Sequence, residues 1–229
     1  MPLQQHISFS DGTLLYLWNV TETENELDAQ CRAAGIDISP VQHYRSARRR
    51  IEVMVEWLTV YHVLGPDVQL GHDDKGAPVA VGSSPTPYLS ISHTTGLVCL
   101  ACNTDHPIGI DVERHSERIL RVRSRFLHDD ELATISPDDI TANLIAWTAK
   151  EALYKVSGNT RTNFADDIRL QHYDTTQDAP ITLQATCHDV PHRVATMLIG
   201  TFVFSIAVED LHGYPLPENN YQNTNIIAL

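Results

Sequence analysis

The sequence predicts an α+β protein made of two lobes with similar content. Each half of the chain contains one long helical pattern and several short strand-like runs, and a turn separates the halves between about Cys102 and Ile108. We therefore assign residues 1–105 to an N-terminal lobe and residues 106–229 to a C-terminal lobe. A chain of 229 residues is long enough to bury a sizeable core.

The elements of the first half are predicted from apolar periodicity and from punctuation by Gly and Pro. Apolar residues recur every three or four positions over 41–64, which predicts a helix that Gly65–Pro66 ends. A polar helix is predicted over 21–34. Short strands are predicted over 13–20, 88–91 and 97–102, the last two on either side of a polar SHTTG turn.

The second half begins with a predicted strand over 108–112 and contains the clearest helix of the chain, over 140–156. A basic helix is predicted over 117–126 and another helix from 129 to 135. Three further strands are predicted over 181–185, 193–198 and 201–208. The tail after Gly213 is polar, contains two prolines and is predicted to be loosely ordered.

Charge and composition exclude several partners. The net charge of −13 argues against non-specific binding to nucleic acid or to an anionic membrane surface. No apolar run reaches the ~18 residues of a membrane helix, and the N-terminus lacks a secretory pattern. The four cysteines do not form a disulfide-rich pattern. We therefore expect a cytoplasmic protein.

Two carboxylates mark the predicted strand over 108–112. Asp111 and Glu113 are two residues apart, so on a strand they share a face while Ile110 and Val112 point into a core. Carboxylates held side by side repel each other unless a cation lies between them, and hard oxygen ligands suit Mg²⁺. The alternative is a strand end with two solvated acids.

The helix over 140–156 carries a stripe of Trp147, Glu151 and Lys155, each four residues from the next. One interpretation is a solvated Glu–Lys pair that stabilises the helix by only ~0.3 kcal/mol. However, the chain contains only three lysines, and Lys150 and Lys155 both lie in this helix. Lysine is a compact charge that suits phosphate, so a binding role is the other interpretation.

The segment from Ser90 to Gly96 offers hydroxyls, an imidazole and backbone N–H groups that suit an anion, although a polar hairpin turn is the simpler interpretation. Arginines also cluster at two places. Four lie at the start of the helix over 41–64, where they oppose the helix dipole and indicate either an anionic ligand or a solvated basic turn. The members of this first cluster are Arg45, Arg48, Arg49 and Arg50.

The second cluster follows the carboxylate strand and consists of Arg114, Arg118, Arg121, Arg123 and Arg125. It predicts a local basic patch on an acidic protein. The alternative is an exposed helix face that pairs with the acids at 129–131.

Three motifs together resemble the 4′-phosphopantetheinyl transferases, in particular the larger, two-lobed type that activates peptide, polyketide and fatty-acid synthases. They are, in order, SISHT (90–94), PIGIDVE (107–113) and WTAKEALYK (147–155). The resemblance implies two similar α/β lobes in a pseudo-twofold arrangement with the active site at their seam. It also implies that a monomer completes the site.

The resemblance implies a reaction with coenzyme A. Such enzymes transfer the 4′-phosphopantetheine arm of coenzyme A to a serine of an apo acyl or peptidyl carrier protein and release adenosine 3′,5′-bisphosphate. The expected metal is Mg²⁺, with Mn²⁺ left open. Two other functions stay open: a non-catalytic relative that binds coenzyme A or a carrier protein, and a Mg²⁺-dependent pyrophosphate hydrolase.

The resemblance also implies roles for individual residues. The metal ligands are Asp111, Glu113 and Glu151, and the catalytic residues are Glu151 and Lys155. Coenzyme A is expected to contact Arg48, Lys75, Ser92, His93, Lys150 and Lys155. The carrier is expected to dock on Arg118, Arg121 and Arg125. Relatives often have basic residues where this chain has Trp57 and Ala77.

Overall fold

The computed structural model describes residues 3–158, 160–171, 173 and 180–209, and its strands form two antiparallel sheets. The tail after Gly213, predicted to be loosely ordered, lies outside the described residues. Within them, no helix is long and apolar enough to cross a membrane.

The first sheet has the strand order β1-β2-β6-β5-β4-β3. Its strands are β1 (Leu3–Ser8), β2 (Leu14–Asn19), β3 (Gln69–His72), β4 (Pro78–Val81), β5 (Tyr88–Thr94) and β6 (Leu97–Asn103). The second sheet has the order β7-β11-β10-β9-β8. Its strands are β7 (Ile108–Arg114), β8 (Ile168–Leu170), β9 (Ile181–Cys187), β10 (Val190–Ile199) and β11 (Phe202–Glu209).

The helices are α1 (Glu24–Ala33), α2 (Ala47–Leu64), α3 (Asp129–Thr134) and α4 (Ile140–Ser157). Thr23 caps α1 in a reciprocal capping box with Glu26, and Asp139 caps α4 by accepting from the Ala142 amide. These caps explain why the observed helices begin where they do.

Both halves use the same order of elements. β2, α2 and β3 to β6 form one unit, and β7, α4 and β8 to β11 form the other; in each unit the first strand pairs with the last, β2 with β6 and β7 with β11. The mixed α/β content with two sheets confirms the predicted fold class at this level. The assignment of lobes to 1–105 and 106–229 stays a prediction.

Each long helix covers one sheet. Met54 and Leu58 of α2 are buried with Trp18 and Val98, while Ile145 and Leu153 of α4 are buried with Val194. The opposite faces of the sheets share a third core, which contains Leu15, Leu17, Cys99, Ile110, Val112 and Phe204. Each fully buried side chain of this size contributes about 1.5–3 kcal/mol to folding. The shared core therefore holds the two sheets together along the seam.

The predicted basic helix over 117–126 is wrong. The structure has two short 3₁₀ turns, Glu117–Arg121 and Arg123–Arg125. Arginines three and four residues apart would repel each other on an α-helix. The predicted SHTTG turn is shorter than expected as well, because β5 continues to Thr94 and only Thr95 and Gly96 form the turn.

Candidate active site at the seam between the sheets

Two serines of β5 join the two sheets. Ser90 Oγ accepts a hydrogen bond from the Ile110 amide at 2.9 Å, and Ser92 Oγ accepts one from the Val112 amide at 3.3 Å. Both serines are buried. These side chains satisfy amides of β7, because a strand at the edge of its own sheet has unpaired backbone groups.

Asp111 lies on β7 at this seam and is buried. Its Oδ1 accepts from Ser92 Oγ at 2.7 Å and from Lys155 Nζ at 2.9 Å. Its Oδ2 is buried and has no hydrogen-bond partner among the described residues. A buried carboxylate oxygen without a partner is costly, so its position requires a compensating group.

Two further carboxylates face Asp111. Glu113 accepts from Thr94 Oγ1 at 3.4 Å and from the Trp147 side chain, and its pKa is raised by burial and by the charge of Asp111. Burial, followed by the charge of Asp111, raises the pKa of Glu151 to about 7, against the opposing effect of Lys155. Mutual repulsion among three acids is therefore built into the site.

A glycine lets α4 approach β7 closely enough to form this group. A Cβ on Gly109 would overlap the carbonyl oxygen of Ala152 and lie 2.9 Å from the amide nitrogen of Val156. Ala152 and Val156 flank Lys155 on α4. The absent side chain at Gly109 therefore sets the distance between Asp111 on the strand and Glu151 and Lys155 on the helix.

Lys155 is fixed at the edge of a cavity. Its Nζ donates to the Ile110 carbonyl at 2.8 Å as well as to Asp111. The cavity has a volume of about 210 Å³ and lies between the loop after β3, strand β5 and the end of α4. Lys75, Ser90, Tyr154 and Lys155 are among its lining residues. Two of the three lysines of the chain therefore line this cavity.

The loop that carries Lys75 is shaped by Asp73, whose Oδ1 accepts from the amides of Lys75 and Ala77 at 2.8 Å each. Lys75 Nζ reaches across to α4, since it lies 3.8 Å from the position a Cβ on Gly158 would occupy. Residues from both halves of the chain therefore line one cavity.

His93 lies at the end of β5 beside a charged cluster on α2. Arg49 Nη1 is 2.9 Å from His93 Nε2 and 2.9 Å from Glu56 Oε1. Glu52 and Glu56 are both buried, and burial raises the pKa of Glu56 although Arg49 and His93 oppose this. Arg48, the predicted contact, bonds Glu52 at 2.7 Å and leaves 59% of its side chain exposed.

Arg49 is thus the basic residue that contacts His93, and the sequence did not single it out from its neighbours. The available signal was the acids at Glu52 and Glu56, which lie on the same side of the helix as Arg49. Trp57, where the resemblance led us to look for a basic residue, lines a separate cavity of about 320 Å³ with Tyr61 and Asp37.

The structure does not bring Lys150 to this site. Its side chain is completely buried and donates to Glu131 Oε2 at 2.6 Å, to the Ile168 carbonyl at 2.7 Å and to the Phe164 carbonyl at 2.9 Å. Burial lowers the pKa of Lys150, while Glu131 opposes this. The predicted contact of Lys150 with coenzyme A is therefore corrected: one residue from Glu151 on a helix, it points to another face.

The second arginine cluster divides by environment. Arg118, Arg121 and Arg125 are exposed. Arg123 instead donates to Asn143 Oδ1 at 2.9 Å and to the Ile135 carbonyl at 2.6 Å, and Arg114 lies over the Phe202 ring at 5.3 Å. The alternative prediction was that this arginine cluster pairs with the acids at 129–131. Asp130 and Glu131 pair instead with Arg169 and Lys150, respectively.

Over the described ranges, the structure contains no group of three or more His, Cys, Asp or Glu side chains arranged to hold a metal ion. The chemistry of the donors nevertheless suits a hard divalent cation. Asp111 Oδ2 is buried without a partner, and the pKa values of Glu113 and Glu151 are raised by burial and by neighbouring carboxylates. A cation among these oxygens would relieve both costs.

Comparison with known proteins finds similarity in the part of the chain that carries the three carboxylates and Lys155. Residues 107–206 match the 4′-phosphopantetheinyl transferase superfamily. This confirms the resemblance predicted from the motifs. The matched family is one of transferases, which agrees with the predicted enzyme class.

A 4′-phosphopantetheinyl transferase, gsp of Aneurinibacillus migulanus, is 31% identical to this chain over 75 residues. The aligned stretch spans 31% of this chain and 31% of that protein. The superfamily match includes Asp111, Glu113, Glu151 and Lys155, all of which belong to the seam. Lys75 and His93 lie outside it, and only the structure and the SISHT motif connect them with the site.

Proposed function

We propose that this protein transfers the 4′-phosphopantetheine arm of coenzyme A to a serine of an apo acyl or peptidyl carrier protein, in a Mg²⁺-dependent reaction that releases adenosine 3′,5′-bisphosphate. The observation that carries the proposal is the position of Lys155. Its ammonium group bonds Asp111, lies beside Glu151 and opens onto the cavity that also holds Lys75.

The cavity suits the pyrophosphate of coenzyme A. Lys75 and Lys155 both line it, so both can neutralise phosphate oxygens. Arg49 and His93 form a second polar place at the end of β5, beside Glu52 and Glu56, and Arg48 lies on the same helix turn. We assign the remaining phosphate of coenzyme A to this second place, which replaces the basic residues absent at Trp57 and Ala77.

Asp111, Glu113 and Glu151 would hold the Mg²⁺ ion. When bound, the ion neutralises charge on the pyrophosphate as the bond to the leaving group breaks. Ser92 has a supporting part in this arrangement. Its buried hydroxyl orients Asp111, which leaves the second oxygen of that carboxylate available.

The reaction itself is a substitution at phosphorus. The serine oxygen of the carrier forms a bond to the phosphorus that bears the pantetheine arm, and the bond from that phosphorus to the oxygen of the departing adenosine bisphosphate breaks. Glu151 accepts the serine proton; in the metal-free protein burial and the charge of Asp111 raise its pKa, so this carboxylate is a stronger base than usual. Lys155 neutralises the leaving phosphate.

The carrier is proposed to dock on Arg118, Arg121 and Arg125. These side chains are exposed, and among the described residues they form no ion pair. Carrier proteins are usually acidic, so a concentrated positive patch on a protein of net charge −13 provides a specific attraction.

Two structural proposals accompany the function. The shared element order of the two sheets supports lobes at 1–105 and 106–229 in a pseudo-twofold arrangement. The site takes residues from both halves of one chain, which supports a monomer as the active unit. The four cysteines are free and buried, which supports a reduced, cytoplasmic location.

The test is incubation of the protein with coenzyme A, Mg²⁺ and an apo carrier protein, followed by intact-mass measurement of the carrier. A gain equal to one phosphopantetheine group supports the transferase. Release of phosphopantetheine without a carrier identifies a pyrophosphate hydrolase, and binding of coenzyme A with neither product identifies a non-catalytic relative.

A further inference from the structure

Lys150 lies at a buried junction that the proposed reaction does not use. Its ammonium group has three partners, namely the Glu131 carboxylate and the carbonyls of Phe164 and Ile168. The side chain of Lys150 is 0% exposed and that of Glu131 5% exposed. Neither side chain can touch a substrate or a docked protein.

The junction joins three segments of the C-terminal half. Lys150 belongs to α4, and Glu131 belongs to the first turn of α3. Glu131 also accepts from the amide of His128 at 2.8 Å and, through its other oxygen, from the amide of Leu170 on β8 at 2.8 Å. The pair therefore fixes the start of α3 and the beginning of β8 against α4.

The start of α3 directly follows the turns that carry the exposed arginines. Arg123, in the middle of that stretch, is itself bonded to Asn143 of α4 and to the Ile135 carbonyl. At its other end the stretch continues from β7, which holds Asp111. Besides the packing of Ile119 and Phe126 against α4, segment 117–131 is thus bonded to α4 at two points among the described residues, and Lys150 provides the deeper one.

We propose that Lys150 is a positioning residue that fixes segment 117–131 on α4, and thereby sets where the carrier serine meets Glu151 and Lys155. The proposal rests on the proposed function, because it assumes that this segment receives the carrier. The residues of the WTAKEALYK motif then have two different roles. Glu151 and Lys155 take part in the reaction, and Lys150 positions the docking surface.

The proposal predicts a pattern among two variants. Lys150→Met removes the anchor and leaves Glu131 as an uncompensated buried charge. It should raise the KM for the carrier about tenfold while the KM for coenzyme A stays within about twofold. The double variant Lys150→Met/Glu131→Gln leaves no buried charge, so it should regain stability, but it still lacks the anchor, so the KM for the carrier should stay raised.

Hydrogen–deuterium exchange supplies a second readout that a role in chemistry would not affect. Amides of 117–131 should exchange faster than in the wild type both in Lys150→Met and in the double variant, because both lack the anchor. Arg32→Met, which breaks an exposed pair with Asp28 on α1, is the matched control and should change neither readout.

The inference is overturned if the double variant folds and regains the carrier KM of the wild type, or if the KM for coenzyme A rises as much as that for the carrier. If Lys150→Met does not fold, Glu131→Gln alone decides: faster exchange in 117–131 supports the inference, and unchanged exchange contradicts it. A wild-type protein that modifies no carrier would refute the proposed function, whereas the exchange experiment tests the anchoring by itself.

Discussion

Gly109 on β7 lies against the carbonyl oxygen of Ala152 on α4, with no room for a side chain between them. This contact brings the strand that carries Asp111 and Glu113 next to the helix that carries Glu151 and Lys155. A strand and a helix that carry ordinary side chains at their contact stay farther apart. The site therefore depends on a residue that has no chemistry of its own.

Gly109→Ala should separate these elements. The added methyl group would meet backbone atoms of Ala152 and Val156, which cannot rotate away, so we expect a loss of roughly 1–3 kcal/mol in unfolding free energy. The transfer rate should fall by more than the loss of folded protein accounts for. Gly71→Ala is the matched control, because its methyl group would meet a side-chain atom of Val81 at 2.8 Å that can shift. Urea unfolding and transfer rate should be measured together; equal activity in the two variants would contradict the argument.

Glu151→Gln should abolish transfer and yet stabilise the metal-free protein. Glu151 has a pKa of about 7 when folded and 4.5 as a model value, so the folded state holds its proton more tightly and wild-type stability falls as pH rises from about 4.5 to 7. The variant should exceed the wild type by roughly 1–3 kcal/mol above pH 7 and by almost nothing at pH 4.

Unfolding curves from pH 4 to 8 without Mg²⁺ measure this difference. Added Mg²⁺ should stabilise the wild type and reduce the gap, whereas Glu117→Gln, at an exposed position, should show no such pH dependence. A constant gap at all pH values would mean that Glu151 does not titrate as the site requires.

The arginines of α2 should contribute unequally to binding. Arg49 contacts His93 and Arg48 does not, so Arg49→Lys should raise the KM for coenzyme A more than the KM for dephospho-coenzyme A. Lysine keeps a positive charge beside the buried Glu56, which protects the fold. Arg48→Ala, the variant that the sequence alone favours, should have a smaller effect. Equal increases in KM for both substrates would show that Arg49 and His93 do not recognise the 3′-phosphate.

Charge reversal at Arg121 and Arg125 should weaken transfer to the carrier and leave binding of coenzyme A intact. Both side chains are exposed, so the substitution should not disturb the core. We expect the KM for an acidic carrier to rise about tenfold at low salt, with a smaller difference at high salt. Arg32→Glu on α1 is the control. Carrier kinetics unchanged by the reversal would place docking elsewhere.

The sequence was sufficient for the parts of the fold that depend on local pattern. Apolar period predicted α2 and α4, although α2 begins at Ala47 and not at residue 41, because a separate 3₁₀ turn, Ser39–His43, precedes it. Alternation on β7 placed Ile110 and Val112 in the core, where both are buried. Short strands were missed, because β3 and β4 have four residues each and pair as a hairpin around the Asp73 loop. Four residues are too few for a period to be recognised.

Only the site residues that lie in a recognisable motif could be predicted from the sequence. Asp111 and Glu113 follow from strand alternation, and Lys155 from its stripe with Glu151. The direction of Lys150 could not be deduced, because its partner Glu131 is 19 positions earlier in the chain and the carbonyls of Phe164 and Ile168 belong to a different element. Similarly, only the fold shows that Arg49 rather than Arg48 meets His93.

The most direct test of the account is a comparison of wild type and Glu151→Gln in one transfer experiment. Each protein is incubated with coenzyme A, Mg²⁺ and an apo carrier, and the intact mass of the carrier is measured over time. The account predicts that the wild type adds one phosphopantetheine group per carrier and that Glu151→Gln, although folded, adds none. A carrier of unchanged mass with the wild type, or of equally increased mass with the variant, would contradict it.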